Sequence, residues 1–99
     1  MTEHATVDIT REDRPTGGVY RADIDGQIAE MTFSRANAHL IIIDHTGVPE
    51  SLRGRGIGDQ LVARAVSDAR EQDFKIVPLC TFAAAQFRRH PEYRDVLSR

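Results

Sequence analysis

The chain predicts a mixed α/β domain whose sheet is mostly antiparallel and ends in one parallel pair of strands joined by a helix. Three observations carry this. Two alternating segments, residues 19–25 and 27–35, flank Asp25-Gly26, the kind of dipeptide preferred in two-residue hairpin loops. The run Leu40-Ile41-Ile42-Ile43 follows, and because it is apolar on both faces it reads as a central, buried strand. A helix-period stripe of Leu61, Val62, Ala65, Val66 and Ala69 then leads to a second short apolar run, Phe74-Lys75-Ile76-Val77-Pro78-Leu79. Strand, helix and strand in that order close as a right-handed parallel crossover.

Taken from the start, residues 1–6 have little to bury and read as a flexible end. Residues 7–11 can begin an edge strand, but the charged stretch Arg11-Glu12-Asp13-Arg14 runs into Pro15-Thr16-Gly17-Gly18 and reads as a loop. In the hairpin, Ala29, Met31 and Phe33 share one face, and Ile28, Glu30 and Thr32 share the other. The second set suits a face that is only partly covered. Ala36-Asn37 is the next turn, and after the apolar strand Gly47 and Pro49 break the chain away from the sheet. The helix is expected over 59–72, with Arg64, Ser67, Asp68 and Glu71 toward solvent and Asp73 closing it. Thr81 is expected to cap a last helix through Phe87 or Arg88, and Pro91 to open one further turn toward Leu97. The order is β-β-β-α-β-α.

Bulk properties bound the function. With 99 residues the chain supports a single domain spanning residues 1–99. A net charge of −2 and an aromatic content of 6% give neither a general attraction to nucleic acid or anionic membrane nor a stacking platform for bases. Any anion site must therefore be local. The single cysteine, Cys80, leaves no internal disulfide framework, and the scattered histidines show no metal-ligand spacing, so no metal is expected. No apolar run approaches the ~20 residues that cross a bilayer, and the polar start lacks a signal-peptide core. A cytoplasmic location is the expectation.

The segment Arg53-Gly54-Arg55-Gly56-Ile57-Gly58 lies between the apolar strand and the helix. A helix N-terminus presents amides without partners and a partial positive charge, so anions collect there. Glycines tolerate left-handed backbone and let a ligand approach closely. The same segment can equally be a connection with solvated charges. It lacks the Lys-Ser/Thr pair of the P-loop and the three-glycine spacing of the dinucleotide fingerprint, which disfavours both. What remains is Arg53-x-x-Gly56-x-Gly58.

That motif, after a strand and opening a helix, resembles the acetyl-CoA signature of the GNAT superfamily of N-acetyltransferases. The resemblance extends to His45-Thr46-Gly47-Val48-Pro49, to Leu52-Arg53 ahead of the glycines, to Pro78-Leu79-Cys80 and to His90-Pro91-Glu92-Tyr93. Together these are similar to a minimal subgroup of the superfamily about as short as this chain, and the likeness covers approximately residues 19–97. It implies a short GNAT fold in which residues 40–44 and 74–79 form a parallel pair that splays apart to admit the pantetheine arm. It further implies acetyl-CoA as acyl donor, an unidentified amine as acceptor, and cofactor contacts from Thr46, Val48, Arg53, Gly54, Arg55, Gly56, Ile57 and Gly58, with the loop amides on the pyrophosphate.

Acetyl transfer to an amine needs a proton acceptor, a polarised carbonyl and a proton for the leaving thiolate. His45, at the end of one splayed strand, is a candidate general base or else a structural histidine. Cys80, just past the other, is a candidate acyl acceptor or else a small buried hydrophobe. Tyr93 is a candidate acid, as a tyrosine is in many larger members, or else an aromatic anchor for the C-terminal turn. Arg88-Arg89-His90 reads as a solvated helix end. The leading function is an acetyl-CoA-dependent N-acetyltransferase. The alternative is a CoA- or acyl-CoA-binding module with little or no transfer, since the chain has no counterpart of the helices that build an acceptor pocket in larger members.

Overall fold

In the computed structural model, which describes residues 6–98, the strands form one sheet in the order β1-β2-β3-β4-β5. They are β1 (Thr10–Arg14), β2 (Gly17–Ile24), β3 (Gln27–Asn37), β4 (Leu40–Gly47) and β5 (Lys75–Pro78). All neighbours are antiparallel except β4 and β5, which run parallel and are joined through α1 (Ile57–Gln72). After β5 come α2 (Thr81–Arg89) and a 3-10 segment, Pro91–Val96. The expected β-β-β-α-β-α order is present with one more strand, β1, ahead of it, and so is the parallel crossover. The expected loose end at residues 1–6 falls, except for Thr6, outside the described residues. Among the described residues no helix is long and apolar enough to cross a membrane.

The helices share one face of the sheet. Tyr20, Ala22, Ala29, Met31, Phe33, Ile41, Ile43 and Ile76 point to that face and form one core with Leu61, Val62, Ala65, Val66 and Ala69 of α1 and Ala83 and Phe87 of α2. Ile28 on the opposite face is 46% exposed. Leu40, Ile42 and Val77 lie on that face too and are only half-buried, outside the core. This corrects the reading of the apolar strand as buried on both sides: Ile41 and Ile43 are buried, but no helix of the described residues covers Leu40 or Ile42.

Other expectations change as well. Residues 11–14 form strand rather than loop: β1 pairs with β2 through Arg14 opposite Gly17, and the turn is only Pro15-Thr16. The charges that suggested a loop are paired. Arg21 reaches both Glu12 and Glu30 at 2.8 Å, and Arg11 lies over the rings of Tyr20, Phe33 and Phe74. Asp68 is not solvent-facing but 9% exposed. It accepts from the Tyr20 hydroxyl at 2.8 Å and pairs with Arg11 and Arg64, each at 3.1 Å. Finally, α1 starts at Ile57, earlier than expected, and Cys80 rather than Thr81 is the N-cap of α2. The end of α1 at Asp73, in left-handed conformation with φ 61°, is as expected.

One irregularity shapes the site. Thr32 lies opposite His45 while Phe33 lies opposite Ile43, so Asp44 is an extra residue in β4. Such a bulge breaks the alternation of side chains and re-aims them. Partners directly across an antiparallel pair share a face, so His45 joins Thr32 on the helix-free face, and Asp44 reaches Ser34 there. Thr46, opposite Met31, returns to the helical face.

Candidate functional site

β4 and β5 pair only as far as Ile43 and Pro78. The amides of Leu79 and Cys80 then both turn onto the Ile43 carbonyl, at 3.1 and 3.2 Å, and residues 44–47 continue beside β3 alone. At this parting the structure has a pocket of about 680 Å³ lined by residues of β4, the glycine loop, the first turn of α1 and Phe82 of α2. The floor is the opening of α1. Its first intrahelical bond runs from the Gln60 amide to the Gly56 carbonyl at 3.1 Å, so the amides of Ile57, Gly58 and Asp59 precede the helix's own ladder. Gly56, the N-cap, has no side chain to satisfy them. Both Gly54 (φ 79°) and Gly56 (φ 73°) are left-handed, a conformation that L side chains resist. The turn that exposes these amides thus depends on glycine.

Gly58 has a different reason. A Cβ built there would lie 2.7 Å from Cζ of Phe82, so the missing side chain is filled by the Phe82 ring packing α2 against the start of α1. The glycine thus has a packing reason of its own, while its backbone still lines the pocket.

The pocket gathers His45, Thr46, Val48, Arg53, Gly54, Gly56, Ile57 and Gly58 of the residues expected from sequence. Arg55 is exposed and outside the lining. Arg53 donates weakly to the Val48 carbonyl at 3.4 Å. His45 is exposed at the pocket, and among the described residues its ring has no hydrogen-bond partner. Cys80 is half-buried behind Thr46: its Sγ lies 3.5 Å from Thr46 Oγ1 and accepts from the Ala83 amide at 3.4 Å. Tyr93 is placed away from these groups. It stacks on His90 with ring centroids 4.8 Å apart, meets Phe87 edge-on, and lines a shallow groove along α1 with Arg70. Burial, and then the charge of Glu92, raise its pKa above the ordinary tyrosine value, so it keeps its proton at neutral pH.

Sequence reasoning missed Gly47, Leu52, Asp59 and Phe82 in the lining. Asp59 had a signal, an acid in the first turn of a helix, but a helix expected to begin at 59 put it at the boundary. Phe82 had none, because only the packing of α2 on α1 brings it to the pocket. Among the described residues no group of His, Cys, Asp and Glu gathers as a metal site.

Comparison with known proteins agrees with this geometry. Residues 19–96 match the family model of the GCN5-related N-acetyl-transferases. Among solved structures, the chain is similar to a GCN5-like candidate N-acetyltransferase from Staphylococcus aureus, with 30% identity and a TM-score of 0.73 over 93% of this chain and 88% of that one. It shares its fold with a GNAT family acetyltransferase from Elizabethkingia anophelis, solved with acetyl-CoA bound, with 21% identity and a TM-score of 0.57. That likeness covers 79% of this chain and 53% of the other. No curated protein matches. With a family model spanning most of its length and the strand parting and glycine-capped helix in place, the chain belongs to the GCN5-related N-acetyltransferase family.

Proposed function

We propose that the protein transfers an acetyl group from acetyl-CoA to an amine, with the pyrophosphate held on the amides at the start of α1 and the thioester directed into the gap between β4 and β5. The observation that carries this reading is the helix opening without a side-chain cap on the floor of a pocket that continues into the strand parting. Unpartnered helix amides attract phosphate oxygens, and Arg53 at the rim adds positive charge. The acetyl-CoA bound by the E. anophelis relative supports the same ligand here.

For the transfer, the amine must be neutral to attack. In this reading His45 takes the amine proton, the new C–N bond forms as the C–S bond breaks, and the departing thiolate of CoA recovers a proton. His45→Ala is expected to lower kcat by about a hundredfold, the usual scale for a general base, with the CoA dissociation constant little changed. Steady-state kinetics beside calorimetry checks this, and equal activity in the two proteins returns His45 to a structural role.

Cys80 offers a rival route through an acyl-cysteine, but direct transfer is favoured. Its Sγ is engaged as the cap of α2 and against Thr46 rather than presented in the pocket lining. Cys80→Ala is therefore expected to keep turning over, and the wild-type protein mixed with acetyl-CoA to show no hydroxylamine-labile acetyl adduct by mass spectrometry. An adduct on Cys80 that forms and decays as fast as turnover would reverse the assignment.

A second reading, a CoA-binding module with little transfer, is favoured by the absence of Tyr93, the candidate acid, from the pocket lining. Incubation with acetyl-CoA and a panel of amines, read by mass spectrometry, separates the two: binding without any acetylated amine selects the module.

A further inference from the structure

We infer that Asp44, on the helix-free face beside the strand parting, is the residue that holds the acceptor's ammonium group next to His45. This rests on the acetyltransfer reading above and assigns a positioning residue to it. The bulge in β4 is the first observation. Regular alternation would send Asp44 and His45 to opposite faces of the sheet, whereas here both project from the face that carries Thr32 and Ser34. A carboxylate and an imidazole thus stand side by side at the strand parting, and His45 reaches the pocket.

The second observation is charge. Of the other acids on this face, Glu12 and Glu30 are neutralised by Arg21, at 2.8 Å each, and Asp23 lies at the hairpin end, opposite Ile28, where it accepts from the Gly26 amide. Among the described residues Asp44 enters no ion pair, and its one side-chain bond is from the Ser34 hydroxyl at 2.6 Å. A carboxylate holding one hydroxyl keeps acceptor capacity for a cation. Beside it, half-buried Ile42 with Val77 across from it makes an apolar ledge outside the core, suited to an aliphatic stem. The helical side of the gap is occupied by α1, α2 and the phosphate-binding turn, so an acceptor meeting a thioester in the gap has the open side to come from. An ammonium held by Asp44 would lie next to the base that must deprotonate it.

The test is a titration of isotope-labelled protein followed by amide chemical shifts, which needs no turnover. The probes are 1,5-diaminopentane, Nα-acetyl-lysine methylamide and, as the uncharged equivalent, 1,5-pentanediol. The amines are expected to shift Thr32, Ser34, Asp44 and His45, the diol to shift none of them, and Asp44→Asn to weaken amine binding about fivefold, the scale of a half-exposed charged hydrogen bond. Asn keeps the size and the bond to Ser34, and Asp25→Asn in the exposed hairpin turn controls for loss of net charge. The tighter of the two amines tells whether the source is a free polyamine or a lysine side chain. Amine shifts that are absent, that map elsewhere, or that weaken equally in both variants overturn the assignment. A parallel titration with acetyl-CoA keeps the readings apart: silence at residues 53–58 there would sink the transfer reading while an Asp44-dependent amine site stood.

Discussion

Gly56→Val is expected to abolish CoA binding in a protein that still folds. Gly56 sits at φ 73° and ψ 16°, and a β-branched residue in that region costs about 1–2 kcal/mol, so the loop shifts or the first turn of α1 unwinds. Either response re-aims the amides of Ile57 and Gly58. Hydrogen bonds to a charged group are each worth about 1.5–3 kcal/mol, so losing two weakens binding more than about a hundredfold. The stripe that anchors α1, Leu61, Val62, Ala65, Val66 and Ala69, is more than a turn away and fully buried, so the helix itself persists. Calorimetry with CoA, beside a thermal melt that confirms the fold, is the check. Unchanged affinity in a folded variant would remove the helix opening from the cofactor site. Gly58→Val is the poorer probe, because it drives a side chain into the Phe82 ring and disturbs α2 as well.

Asp68→Ala is expected to be the most destabilising single change in the molecule outside the apolar core. Asp68 accepts from Tyr20 and pairs with Arg11 and Arg64, and Arg11 anchors β1 to α1 by this contact. Removing one partner of a buried ionic cluster leaves the others uncompensated, at a cost of about 3–5 kcal/mol, a large part of the ~5–15 kcal/mol that holds such a domain. The melting temperature should fall by at least about 12 °C. The pH dependence has a definite sign. Burial first, and the bond to Asp68 second, push the Tyr20 hydroxyl far above its ordinary value of 10.0. The folded state therefore keeps a proton that the unfolded chain releases above about pH 10. The stability from this group is complete below that pH and is lost as pH rises through the folded pKa. Denaturant melts from about pH 7 to about pH 11 should show wild-type stability falling at the alkaline end, more steeply than in Asp68→Ala, where the bond is gone. A variant as stable as wild type at neutral pH would mean that the cluster is solvated.

Much of this was legible in the chain itself, and the reason is that the legible parts are local. Asp25-Gly26 makes its hairpin by the backbone freedom of two residues, the spacing of Leu61, Val62, Ala65, Val66 and Ala69 makes α1 by period alone, and Gly54 and Gly56 announce a turn that only glycine tolerates. The order of strand, glycine turn and helix was enough to point to the family and to single out the turn that lines the pocket. What the sequence left open depends on partners far along the chain. Arg11 read as part of a charged loop and Asp68 as solvent-facing, because a charge is read as exposed until its partner is known, and these two lie 57 residues apart. Leu40 and Ile42 looked buried because they are apolar, yet whether a second layer covers them is decided by where α1 and α2 pack, and both chose the other face. The bulge at Asp44 has no sequence mark, since it exists only in the register between β3 and β4. It nonetheless decides which face carries Asp44 and His45 and which carries Thr46, because one extra residue in a strand inverts the alternation of every side chain beyond it.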